Sequence, residues 1–152
     1  MADTGIEIIT TPRDLLQRLG ARYPQQLSAV MEKAMEASLL HVQGSVPGYP
    51  KPRPNQSYVR TGTLGRSLGV AQSGGPVGAP SIRLQKKVGS VYEGEFGTSL
   101  NYAPDVIGEG TQKEMFVGRW WTIKTVAKQA AAGIVRLHEA AVDELAKWID
   151  GR

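Results

Sequence analysis

Cysteine is absent from the 152 residues. That excludes disulfide scaffolds, cysteine nucleophiles and thiolate metal sites, and it leaves the redox compartment open. Histidine is nearly absent: His41 and His138 are the only two, in no HxH or HExxH spacing, so no metal site is expected. Aromatic residues are few, with three Trp, five Tyr and two Phe. No apolar run approaches the ~18 residues of a spanning helix, so no membrane partner is expected. The opening Met1-Ala2-Asp3-Thr4-Gly5-Ile6-Glu7 carries acid instead of base, with no apolar stretch behind it, and does not read as a signal peptide. Neither GxxxxGK[ST] nor GxSxG occurs, so no cofactor is expected and no catalytic residue is assigned. What remains is 41% apolar and 21% charged, the composition of one folded domain over 1–152 with a loose arm over 1–11.

Acid is missing from the middle of the chain. Lys plus Arg outnumber Asp plus Glu by 18 to 14, yet no acidic residue lies between Glu36 and Glu93. The same interval holds Lys51, Arg53, Arg60, Arg66, Arg83, Lys86 and Lys87. A positive block of this kind attracts phosphate or an acidic protein surface with salt-sensitive affinity. It also occurs where a solvated loop and strand surface simply avoids association.

Glycine and proline divide the chain into three zones. Fourteen of 18 Gly lie between Gly44 and Gly118, and seven of nine Pro between Pro47 and Pro104. Helices are therefore expected outside and strands and loops inside. Ile6 to Ile9 reads as a short strand. Thr10-Thr11-Pro12 opens a short helix that Gly20 stops near Leu19. Pro24 starts the next helix, whose stripe is Leu27, Val30, Met31, Ala34, Met35, Ser38 and Val42, and Gly44 and Pro47 end it. In the last zone Val126, Ala130, Ile134, Leu137, Ala141, Leu145 and Trp148 form one apolar face about six turns long. Gly133 on that helix allows close approach by the other one.

The central zone reads as β. Arg66 to Gln72 is one short candidate. Ser81 to Val88 alternates, with Ile82, Leu84 and Val88 on one side and Arg83, Gln85 and Lys87 on the other, and Lys86 breaks the apolar side; Gly89-Ser90 turns it, and Val91 to Thr98 returns antiparallel. Tyr102 to Ile107 is a third extended candidate, bent by Pro104. Two loops are expected to project: 44–57, where four Pro fall between Val46 and Pro54, and the Gly-rich 72–81.

Chemistry is sparse. Glu93 and Glu95 share one strand face, a geometry that serves a glycosidase and equally a strand facing water. Tyr49, Lys51, Arg53, Tyr58, Arg60 and Arg66 interleave bases and aromatics, as a nucleic-acid contact would, without any helix-turn-helix, RNP or zinc-finger pattern.

Three stretches carry more information together than apart. They are Tyr58 to Leu68, with Arg60-Thr61-Gly62 and Leu64; Asn101 to Gln112, with Tyr102-Ala103-Pro104 and Val106; and Gly118-Arg119-Trp120-Trp121-Thr122 before the last helix. In this order, over roughly residues 24 to 150, the chain resembles the small neck proteins of tailed bacteriophages, the head–tail joining or tail-completion proteins of siphophage-like virions. That family carries an R-T-G-x-L-x-x-S-like motif and a Y-A-x-x-V-x-x-G strand-and-loop between two helices. This chain departs from it at Asp105, where an aromatic is common, and at Trp120-Trp121, where one Trp is usual.

The expected fold is α+β: a small, mostly antiparallel sheet packed against an N-terminal helix and a long C-terminal helix, with projecting loops. Gly62 is expected at positive φ, with Thr61 or Thr63 capping the local backbone and Leu64 and Leu68 pointing inward. The resemblance implies a structural virion protein that is not an enzyme. It implies a homo-oligomeric ring, six-fold, between a head connector and a tail tube, assembled in the host cytoplasm. Contact and DNA-path candidates are Arg60, Arg66, Arg83, Lys86, Lys87, Tyr102, Trp120 and Trp121, with one of the tryptophans as an interface anchor. The alternatives are a tail terminator, a minor capsid-associated protein, a non-specific DNA-binding accessory protein and a small hydrolase around Glu93 and Glu95.

Overall fold

The structure is a computed structural model that describes residues 8–11, 13–56 and 60–151. The order is α1 (Arg13–Arg22), α2 (Pro24–Gly44), α3 (Thr63–Ser67), β1 (Ile82–Val88), β2 (Val91–Gly97), α4 (Ala103–Ile107) and α5 (Ile123–Asp150). This is an α+β fold in which a two-stranded antiparallel sheet packs against the N-terminal helices and the long C-terminal helix. The expected N-terminal strand lies partly outside the described residues, and Ile8 and Ile9 form none. Pro12 and Tyr58, read as a helix start and a stacking residue, also lie outside them.

α2 begins and ends where Pro24 and Gly44 place it. Leu27, Met31, Ala34, Ser38 and Leu39 are buried along it, and each fully buried Leu or Met contributes about 1.5–3 kcal/mol. α5 runs antiparallel beside it. Gly133 of α5 is buried, and a Cβ there would sit 2.1 Å from His41 Nε2. One turn on, His138 Nδ1 lies 3.0 Å from the Ile134 carbonyl and 3.4 Å from Ser38 Oγ. Farther along, Leu145 joins Leu16, Leu27 and Met31 in one apolar cluster. Thr122 caps α5 by accepting from the Thr125 N–H at 3.2 Å, a contact worth ~1 kcal/mol.

Several elements differ from the sequence expectation. α1 does not stop at Gly20. The break comes at Tyr23 instead, because Pro24 disfavours helical backbone in the residue before it. Residues 66–72 contain no strand: Thr63–Ser67 is helical, Gly69 turns the chain at φ +70°, and only Val70 bridges, to Pro76. Tyr102–Ile107 is not extended but contains α4, with Pro104 in the first turn, where no N–H is needed. His138 is 2% exposed and lies inside the stripe, not on the solvated margin.

The side of the hairpin that carries the β1 aliphatics faces outward. Register pairs Leu84 with Glu95 and Lys86 with Glu93, so Leu84, Lys86, Val88, Glu93 and Glu95 share one face. That face is the outer one: Leu84 and Val88 are each 59% exposed. The inner face comes mainly from β2. Tyr92 and Phe96 pack into the two apolar clusters, and Gly94 lies flat on Met35 and Leu39, where a Cβ would meet Met35 Sδ at 2.4 Å. Two aromatic flanks around a glycine fit a helix with bulging Met and Leu better than the β1 aliphatics do.

Gln43 fastens the central loops to α2. It is 1% exposed, and its Nε2 donates to the Gly69 carbonyl at 2.8 Å and the Gly78 carbonyl at 2.7 Å. Gln43→Leu removes both donors at nearly constant volume. It is expected to lower stability by roughly 2–3 kcal/mol, read as a lower urea midpoint. An unchanged midpoint would show that the amide does not hold this loop.

Candidate functional site

The residues singled out by sequence fall into two groups. One surrounds Tyr49. Its backbone N–H donates to the Gln72 carbonyl at 2.6 Å, so the Pro-rich and Gly-rich loops are joined at their bases. Their tips, including Lys51, Arg53 and Val77, remain exposed. The Tyr49 hydroxyl accepts from the Gly65 N–H at 2.7 Å, and its ring lies 4.8 Å from that of Trp120. Burial pushes the Tyr49 phenol above its ordinary value; the Gly65 N–H opposes the rise, Tyr102 adds to it, and Arg66 and Arg60 oppose it.

Arg60 and Trp120 form the inner wall of this group. The Arg60 guanidinium stands 5.4 Å from the Trp120 ring centroid, donates to the Pro50 carbonyl and reaches Gln56 Oε1 at 3.4 Å. Trp120 is 7% exposed and also meets the Phe116 and Trp121 rings at 6.2 and 6.4 Å. Both tryptophans thus pack in one direction, into the chain's own core. Trp121 keeps partial exposure and donates Nε1 to the Gly48 carbonyl at 3.3 Å. Arg119 donates to the Lys51 carbonyl at 3.1 Å. Outside the aromatics lies an open depression of about 470 Å³, lined by Pro50, Lys51, Gln56, Arg60 and Gln72 among others.

The R-T-G-x-L stretch wraps the other side. Gly62 is at φ +73°, and the next residues turn into α3. The Thr63 N–H meets Thr61 Oγ1 at 3.4 Å, and Arg66 donates to the Thr61 carbonyl at 3.1 Å and to Thr63 Oγ1 at 3.3 Å. Leu64 and Leu68 are buried. Tyr102 is 39% exposed at the start of α4. Asp105 binds Lys113 at 2.9 Å, and Gln112 Nε2 donates to the Val106 and Trp120 carbonyls at 2.7 and 3.2 Å. Gln112 thereby ties the second stretch to the third.

The second group is the hairpin, and the structure does not bring it to Tyr49. Lys86 Nζ lies 3.0 Å from Glu93 and 3.8 Å from Glu95, and the hydrogen bond and charge of Glu93, with Glu95 beside it, hold the ammonium above its usual value. Lys87 Nζ stands 5.3 Å from the Tyr92 ring centroid, and Arg83 is exposed. The positive block is therefore divided. Arg60 and Arg66 bond to backbone carbonyls, Lys86 is ion-paired, and Lys51, Arg53, Arg83 and Lys87 face solvent.

Glu93 and Glu95 share a face, as strand spacing predicts, and that face is open to water with Lys86 between them. Among the described residues no group of three or more His, Asp or Glu is arranged to hold a metal ion, and no helix is long and apolar enough to cross a membrane. Gln43 and Gln112 are positioning residues that sequence reasoning missed, and Tyr49, singled out as part of a nucleic-acid contact, is instead a positioning residue against Gly65 and Trp120. Tyr49 carried a signal, as the aromatic inside a Pro-rich loop; the two glutamines carried none. No protein-family model, curated protein or solved structure matches the chain.

Proposed function

We propose that this chain is a structural protein of a tailed-phage virion that forms an oligomeric ring, six-fold, at the head–tail interface. One observation carries the reading: the three stretches that resemble the neck family converge on a single cluster. Leu64 and Leu68 from the first, Ala103, Val106 and Ile107 from the second and Trp120 from the third pack together with Val46, Val70 and Val126. Stretches so far apart in the chain are thus joined as parts of one architecture, which favours reading them together. Their polar groups bond to backbone and build the scaffold. The surfaces left for neighbours include the loop tips and the hairpin.

The test is to disrupt the gene in its parent phage and view the lysate by negative-stain microscopy. Filled heads beside separate, complete tails are expected. Normal joined particles would remove the protein from the neck. They would raise the decoration and DNA-accessory readings, the latter favoured by exposed bases that include Lys51, Arg53, Arg83 and Lys87. Steep salt dependence of binding to random duplex would then identify DNA as the partner.

A further inference from the structure

We propose that the hairpin is the self-association surface, with β1 of one copy pairing edge to edge with β2 of the next. A two-stranded sheet is marginal by itself and leaves two edges of unpaired N–H and C=O groups. Among the described residues, neither β1 nor β2 makes backbone bonds on its far side. The outer face carries Leu84 and Val88, both 59% exposed, and among the described residues no element covers it.

Charge identifies the occupant. β1 holds Arg83, Lys86 and Lys87 and no acid; β2 holds Glu93 and Glu95 and no base. One edge is basic and the other acidic, so either edge repels its like and attracts its opposite. The surface that fits β1 of this chain is therefore β2 of a second copy. Within one hairpin, two carboxylates share the single Lys86 ammonium. Across the contact a neighbour's Lys86 faces the carboxylates of β2 and not another ammonium, so the pairing sets opposite charges side by side although each copy brings one Lys86 and two Glu. Pairing β1 with β2 is heterologous, and such contacts generate rings or filaments instead of two-fold dimers. The strands alternate in direction across such a sheet, so the new ladder is antiparallel like the one inside the hairpin.

The inference shares with the ring reading only the premise that copies of the chain meet. It is tested on the protein alone. The chain has no cysteine, so introduced thiols are unique. A tagged Leu84→Cys protein is mixed with an untagged Gly97→Cys protein, whose thiol lies on the same face as Glu93 and Glu95 and leaves both carboxylates in place, at millimolar concentration and treated with a short bismaleimide. The mixed β1–β2 product is expected to exceed either like-with-like product. The triple variant Lys86→Glu, Glu93→Lys, Glu95→Lys keeps the ion pairs inside each hairpin but reverses its outer face. Carried in both partners it should restore the link. Carried in one partner only it should reduce the mixed product about tenfold. Dominant β1–β1 links, equal yield for matched and mismatched faces, or no link at all would each overturn the hairpin pairing. None of these results bears on particle morphology, so the neck reading stands or falls separately.

Discussion

Gly62→Val is expected to lower the melting temperature by roughly 6–12 °C, the equivalent of about 3 kcal/mol in a domain of this size. Two causes combine. Gly62 sits at φ +73°, a region that costs a β-branched residue most. A Cβ there would also meet Gln72 Nε2 at 2.5 Å; that atom ends a flexible, exposed side chain, so moving it adds the smaller share. Gly75→Ala separates the two causes. Gly75 is at φ +88°, and an added Cβ there meets nothing within 4 Å among the described residues, so its variant carries only the backbone strain and should melt between wild type and Gly62→Val. If Gly62→Val melts like wild type in circular dichroism, the left-handed turn is not needed to start α3.

Trp120→Ala is expected to cost about 3–5 kcal/mol, the range for emptying a large aromatic site. The indole touches the rings of Tyr49, Phe116 and Trp121 and supports the Arg60 guanidinium. Among the described residues its Nε1 has no hydrogen-bond partner, and the contacts they give it are ring packing. Trp120→Phe should therefore retain much of it, and Arg60→Ala should cost less in the Phe background than in wild type. Urea unfolding of the four proteins in this cycle decides the matter. A Trp120→Phe variant as unstable as Trp120→Ala would mean that indole volume, and not the ring face, is what the site requires.

The long helices were legible because a 3.6-residue period repeats many times in 21 and 28 residues. α3 and α4, of five residues each, span little more than one turn and leave no period to read. The C-terminal stripe was legible except at one step. Ile134, Leu137, Ala141 and Ile134, His138, Ala141 are both helical spacings, and hydrophobicity alone selects leucine. The structure selects His138, because Ser38 on α2 offers its ring a polar neighbour inside the helix pair. The hairpin was legible as a hairpin but not in its facing. Alternation says which residues go together, and only the shape of α2 says which side it receives. At the site, the resemblance stretches were visible, but the buried polar contacts of Gln43 and Gln112 that fasten them were not. A glutamine amide can bond to any carbonyl, and which one is decided by tertiary structure.

The cluster of Leu16, Leu27, Met31 and Leu145 has a consequence for synthesis on the ribosome. Its first members emerge early, and the leucine that covers them belongs to the last helix. The stretch from Gly44 to Ile123 takes roughly 4–16 s to translate at about 5–20 residues per second. For that interval α2 presents an oily strip to the cell with its natural cover not yet made. Binding by a holdase chaperone at this stage, released once α5 emerges, would then govern how much of the protein reaches its native state.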